Sequence, residues 1–387
     1  MVNFLSIIIS NPQIKYEEYF EIIRDFRKGG LNPTNYDEFI ATVRILPPIS
    51  KITPSDFDVF NKFNLSDISE EDFKSIRTEL HKRVIEKSKK CWHPEAGPST
   101  CSLEPNGIIK VSAAHSIQNN GVLSQIADNG HVTSLYDLEL ADFKGKTIGR
   151  NLASMFWGFC NKHDSVFRPI EVEKYVGSEI QNFLFAYRGF VVGSHKKIEV
   201  SNIMDFGQQT HNDIINNKKI FDEAILNQNY GVIKTYTIEL PAFYSIAVSS
   251  SFYLDFDFEG NPIPHSDERM EYLFLSVFPD QNKTYVLISY FEQDENLYGN
   301  LGNQLAKRNN YVSDISILIA AHCENVYFNP TYYNAFIKKF VPYLSKLLFQ
   351  TQFDFARVND EGEIIDPISL TLPSYLDNPF EINFFWY

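Results

Sequence analysis

Three of the chain's four cysteines (Cys91, Cys101 and Cys160) and five of its nine histidines (His81, His93, His115, His131 and His163) fall between residues 81 and 163. Thiolate sulfur and imidazole nitrogen are the donors that Zn2+ prefers, arranged as a tetrahedron. Cys160-Asn161-Lys162-His163 spaces two donors so that one turn at a helix start presents both to one ion. Cys91, His93 and Cys101 offer more donors from a loop rich in Pro, Gly and Ser. Such a loop has no core to hold it, and a metal would supply that order. The single residue between Cys91 and His93 is tighter than zinc-ligand pairs usually are. The expected ligand set is therefore Cys91, Cys101, Cys160 and His163, with His93 as substitute ligand if Cys101 is only a small buried hydrophobe.

The elements that must position these donors follow from pattern. Gly107–Ala114 reads as a strand ending at His115, and 131–136 as another. Helix is expected from about Phe159 to His195, broken near Gly189, and again over 202–229. From Gly231 the texture becomes aromatic and β-branched. Strands are expected at Val232–Glu239, Tyr244–Phe258, Tyr272–Phe278 and Thr284–Phe291, with turns at Gly260-Asn261-Pro262 and Pro279-Asp280-Gln281-Asn282. Leu297–Arg308 and Pro330–Leu348 read as helices and Ile382–Tyr387 as a last strand. Upstream, Lys15–Lys28 has helical spacing, and the acidic start at Ser69 and basic end at Lys90 suit a helix dipole. The expected fold class is α+β. Its parts are a helical N-terminal domain (1–73), a zinc-binding module with flanking helices (74–200), a helical connector (201–230), and an acidic α+β domain with antiparallel strands (231–387).

Charge is uneven along the chain. The net charge is −14. Residues 74–200 hold 17 basic and 13 acidic side chains, while 201–387 hold 11 and 24. The middle alone could face a polyanion, so its charge permits nucleic acid as a partner through residues 74–200 without demanding it; a protein partner suits the acidic C-terminal domain. The 44% hydrophobic content excludes a disordered chain, and four cysteines in 387 residues exclude a disulfide scaffold. No run is long and apolar enough for a membrane helix, and Phe4–Ile9 is too short for a signal peptide. The expected location is cytoplasmic, without membrane association.

Donors before a strand, a histidine at that strand's end, and Cys-x-x-His opening a helix resemble a zinc-stapled HNH nuclease, the treble-clef or ββα-metal type. The resemblance covers about residues 91–170. It implies hydrolysis of phosphodiesters, with His115 of Ala114-His115-Ser116-Ile117 as the general base and Asn151 orienting it. It also implies a structural zinc and a catalytic Mg2+ or Mn2+. The sequence departs from the pattern at Ala114, where the family places a metal ligand, and Asp164 and Glu171 are the carboxylates that could substitute. The same stretch looks like a group of uncharacterised bacterial proteins, and the architecture would suit a bacterial antiviral defence effector. The rival expectation is a non-catalytic sensor or interaction module in which zinc only folds a loop.

Other motifs carry less. Ala320-Ala321-His322-Cys323 echoes a serine-protease base, but no Gly-Asp-Ser-Gly loop follows. Cys160 and His163 as a peptidase pair are closer together than attack geometry favours. Asp255, Asp257 and Glu259 suit a solvated edge or turn better than a cation site. Neither a P-loop nor a Gly-x-Gly-x-x-Gly fingerprint is present.

Overall fold

The computed structural model describes residues 85–135, 145–201, 207–266, 269–344, 356–358, 364–367 and 381–386. The N-terminal helical domain expected at 1–73 lies outside the described residues. The chain divides into two compact units, and the larger comprises 90–137, 142–193 and 212–387. The packing and the sites described below lie in that larger unit.

Its fold is mixed α and β with antiparallel sheets. A two-stranded pair joins β1 (Val111–His115) to β4 (Met155–Cys160). A seven-stranded sheet contains β2 (His131–Ser134), β3 (Thr147–Gly149), β5 (Ile233–Leu240), β6 (Ile246–Phe252), β7 (Leu273–Asp280), β8 (Lys283–Phe291) and β9 (Val326–Phe328). Its order is β3-β2-β9-β6-β7-β8-β5, with every neighbouring pair antiparallel. Strands from 74–200 and from 231–387 thus share one sheet, so the boundaries expected at 200 and 231 do not separate it. The two turns after Met155–Cys160 are α1 (Asn161–Asp164) and α2 (Arg168–Glu171). The main helices are α3 (Glu179–Ser201), α4 (Gly207–Asn227), α5 (Glu295–Tyr298), α6 (Leu301–Lys307) and α7 (Tyr311–His322).

Both faces of the sheet are covered, which is why β7 reads Leu-Phe-Leu-Ser-Val-Phe without polar alternation. On one face Leu273, Leu275, Val277, Val286 and Ile288 join α7 residues Ile315, Ile317 and Ile319 in the main core. On the other, Phe221 of α4 lies 5.5 Å from Phe274 and 4.9 Å from Phe291, centroid to centroid. Phe185 of α3 stacks on Phe278 at 4.5 Å.

Several expectations change here. Met155–Cys160 is a strand, where helix was expected to begin at Phe159, because it pairs with β1. Helix α3 runs through Gly189 unbroken; a side chain there would meet the Ser250 carbonyl at 3.1 Å, so glycine permits close helix–sheet approach. Ile382–Trp386 is irregular rather than a strand, with Ile382 and Phe384 fully buried beneath Phe328 and α7. Residues 330–344 form a succession of short helical turns in place of one regular helix.

Candidate metal centre and the His115 cluster

The loop expected to lack order is tied down at both ends. Trp92 N–H donates to the Gly158 carbonyl at 2.9 Å, laying the start of the loop along β4. Beyond Cys101, Glu104 N–H donates to Ile108 O (2.7 Å) and Lys110 N–H to Ser102 O (2.8 Å), folding the chain back toward β1. Trp92 is buried and meets Phe190 edge-on at 6.3 Å. Cys160 ends β4 and is the N-cap of α1, so Cys160 and His163 sit on the first turn of that helix.

These elements bring four side chains together. His163 Nδ1 lies 3.4 Å from Cys91 Sγ, 3.5 Å from Cys101 Sγ and 3.4 Å from Cys160 Sγ. All four donor atoms lie within 4.8 Å of one another. One imidazole nitrogen has a single lone pair or proton, so it cannot hydrogen-bond three thiols equally. With Zn–S near 2.3 Å and Zn–N near 2.0–2.1 Å, a tetrahedral S–N edge is about 3.5 Å. The observed edges match that value, and the donor chemistry fits zinc. The cluster could hold a metal ion such as zinc. Cys91, Cys160 and His163 are buried and Cys101 is half-buried.

The electrostatics of the cluster are split. Burial pushes the Cys91 thiol up to about 12. Cys160 also feels burial, but backbone contacts with Ser102 and His163 and hydrogen bonds with the other two thiols hold it below the ordinary thiol value. His93 is outside the tetrad. Its ring stacks on His163 at 4.2 Å with planes 2° apart. Although His93, Glu95 and His163 have donor atoms within 4.8 Å, the lone pairs of two stacked rings lie in separate parallel planes and aim poorly at one ion. His93 therefore covers the cluster. Burial, aided by the neighbouring His163, lowers its pKa to about 4.

His115 ends β1, where expected, and is half-buried. Its Nδ1 donates to the Ala153 carbonyl at 2.9 Å, and no described residue bonds Nε2. In the neutral form the lone pair therefore sits on Nε2, and burial holds the pKa below the ordinary histidine value. The Ala153 carbonyl is fixed by its neighbour. Ser154 has a left-handed φ of 55°, donates its N–H to Tyr327 Oη at 2.8 Å, and receives Ser116 N–H at its carbonyl at 2.9 Å. Asn151 does not orient the imidazole; its Oδ1 accepts from Asn119 Nδ2 at 2.9 Å. Sequence reasoning missed Ala153 and Ser154, since a backbone carbonyl leaves no signature in residue type.

Charged groups flank His115. Asp164, Glu171 and Arg188 lie close enough to act on it electrostatically. Burial raises the Asp164 carboxyl above the usual carboxylate range. Glu171 is ion-paired with Arg188, whose guanidinium carbon lies 4.1 Å from the Phe167 ring centre. Among the described residues, no group of metal-ligating side chains that includes His115 converges on one ion.

The lesser motifs resolve structurally. Asp257 holds a turn, accepting Glu259 N–H at 2.9 Å, Asn261 N–H at 2.8 Å and Gln304 Nε2 at 2.8 Å. His322 ends α7 and stacks on Phe252, and Cys323 is buried. No described helix is long and apolar enough to cross a membrane. No family model, curated protein or solved structure matches the chain.

Proposed function

We propose that residues 91–171 form a treble-clef-like module stapled by zinc, and that it is an HNH-like phosphodiester hydrolase acting on nucleic acid. Cys91 and Cys101 from the loop and Cys160 and His163 from the helix start would hold the zinc, which fixes the loop against the β1–β4 pair. One observation carries the catalytic part: His115 ends the paired strand with Nδ1 tied to Ala153 O and Nε2 uncommitted. That geometry suits proton abstraction from water. Asp164 is the carboxylate that would hold a divalent cation, since Mg2+ is commonly bound by one or two carboxylates with water and substrate phosphate completing its shell. Such a cation, Mg2+ or Mn2+, would supply charge stabilisation at the scissile phosphate. The test is plasmid nicking with Mg2+ or Mn2+ by wild type and His115→Ala, each carrying the same zinc. Loss of nicking in the variant supports the reading; equal nicking removes it.

A second reading is a zinc-stapled interaction module without catalysis. It is favoured by Ala114 beside His115 and by the Arg188 ion pair that occupies Glu171. Wild-type protein that holds zinc and nicks nothing under either cation decides for it.

A further inference from the structure

Away from the metal cluster, a cleft of about 350 Å3 opens at the β5 edge of the seven-stranded sheet, under α5 and α6. In the β5–β8 register Lys234 faces Tyr290 and Tyr236 faces Ile288, so these four side chains share one sheet face. Tyr298 of α5 closes the floor, its ring 6.1 Å from that of Tyr290 and inclined at 55°. Glu292 and Glu295 bring two carboxylates to the same cleft.

The charges do not cancel. Lys234 Nζ is taken by Glu292 Oε1 at 2.8 Å. Glu295 accepts the Tyr290 hydroxyl at 3.1 Å, and no described lysine or arginine forms an ion pair with it. Glu295 is exposed at the cleft mouth and feels Lys234 only beyond ion-pair distance, so the cleft holds one carboxylate more than it has ammonium groups. Two glycines keep the parts in place. A Cβ on Gly302 would overlap the Tyr236 ring, and one on Gly299 would overlap Glu295 Oε1. The ring and the carboxylate each lie against bare backbone and line the cleft.

We propose that this cleft binds a small organic cation of the quaternary ammonium class, with Tyr236 and Tyr290 as its aromatic walls and Glu295 as its counter-charge. Aromatic faces carry negative potential and attract a poorly hydrated cation more strongly as water is excluded. An anion would meet Glu295 and the ring faces, and Lys234 is already paired. The proposal involves neither the zinc donors nor His115, so its failure leaves the nuclease reading untouched.

The experiment titrates the full chain with choline, and with its uncharged carbon isostere dimethylbutanol, following heat and tyrosine-ring NMR shifts. Saturable choline binding at least tenfold tighter than the isostere is expected. Tyr236→Ala and Glu295→Gln should each weaken choline by about tenfold, the worth of one partly desolvated cation–π or charge contact. If Tyr236→Ala fails to fold, the near-isosteric Glu295→Gln still decides. Absence of saturable choline binding, equal binding of the isostere, or unchanged choline binding in Glu295→Gln overturns the proposal.

Discussion

Cys91 Sγ and His163 Nδ1 lie 3.4 Å apart although 72 positions separate them in the chain. Chain connectivity does not enforce that approach. The loop reaches β4 through Trp92, β4 delivers Cys160, and the first turn of α1 swings His163 back over the sulfurs. The distance is that of two neighbouring vertices of a zinc tetrahedron.

The purified chain is accordingly expected to carry about one zinc ion per molecule. Cys160→Ser and His163→Ala should each lose most of it, because a three-donor site binds much more weakly. Metal analysis by mass spectrometry reads this directly, and Cys323→Ser, whose thiol is buried in the main core and is not one of the clustered donors, serves as the control. Chelation should lower the melting temperature, since the ion's binding energy is part of the loop's folding energy. Full zinc retention in His163→Ala would remove His163 from the ligand set.

The donor set was legible because few residue types bind zinc: Cys91, His93 and Cys101 share one Pro- and Gly-rich loop, and Cys160 and His163 share one helical turn. Strands β5 to β8 were legible from β-branched and aromatic runs bounded by turn residues. Met155–Cys160 was not, because Met-Phe-Trp-Gly-Phe-Cys is an apolar run whose period does not distinguish strand from buried helix. Helix α7 escaped for a related reason: Ser313 to Ala321 are all buried, so there is no polar face to reveal a helical period. The orientation of His115 depends on the Ala153 carbonyl and the left-handed Ser154, and backbone geometry of that kind is set by tertiary contacts with Tyr327.

If His115 is the base, activity needs its neutral imidazole. Burial lowers its pKa, so nicking should stay level through neutral pH and fall only below the ordinary histidine value of about 6.5. His115→Ala should abolish the nicking while leaving zinc content unchanged. An acid limb centred above pH 7 would assign the titration to another group.

Arg188 and Glu171 form an ion pair in which the arginine side chain is 4% exposed and the carboxylate 29%. Removing only Glu171 leaves a buried guanidinium without its partner. Glu171→Leu should therefore cost about 2–4 kcal/mol in urea unfolding, while the double variant with Arg188→Met should lose less. Costs that simply add would show that the two side chains act independently.

The last prediction concerns Glu271, 4% exposed and two residues before β7. One carboxylate oxygen accepts the Ser266 hydroxyl at 2.6 Å and its N–H at 3.2 Å; the other accepts His265 Nδ1 at 3.0 Å. His265 Nε2 lies 2.6 Å from the Leu254 carbonyl oxygen, so both ring nitrogens have hydrogen-bond partners. Burial alone would raise the Glu271 carboxyl, but the bonds from Ser266 and His265 outweigh it and hold the carboxyl below the ordinary value. A depressed carboxylate contributes its stability above the unfolded value of about 4.3 and loses it as pH falls through the lower, folded value. Glu271→Gln keeps the shape and removes the charge, and should cost about 1–3 kcal/mol at pH 7. The gap between wild type and variant should shrink as the pH drops below about 4. Unfolding curves at the two pH values test this, and a gap of constant size would mean that the carboxylate's charge contributes nothing there.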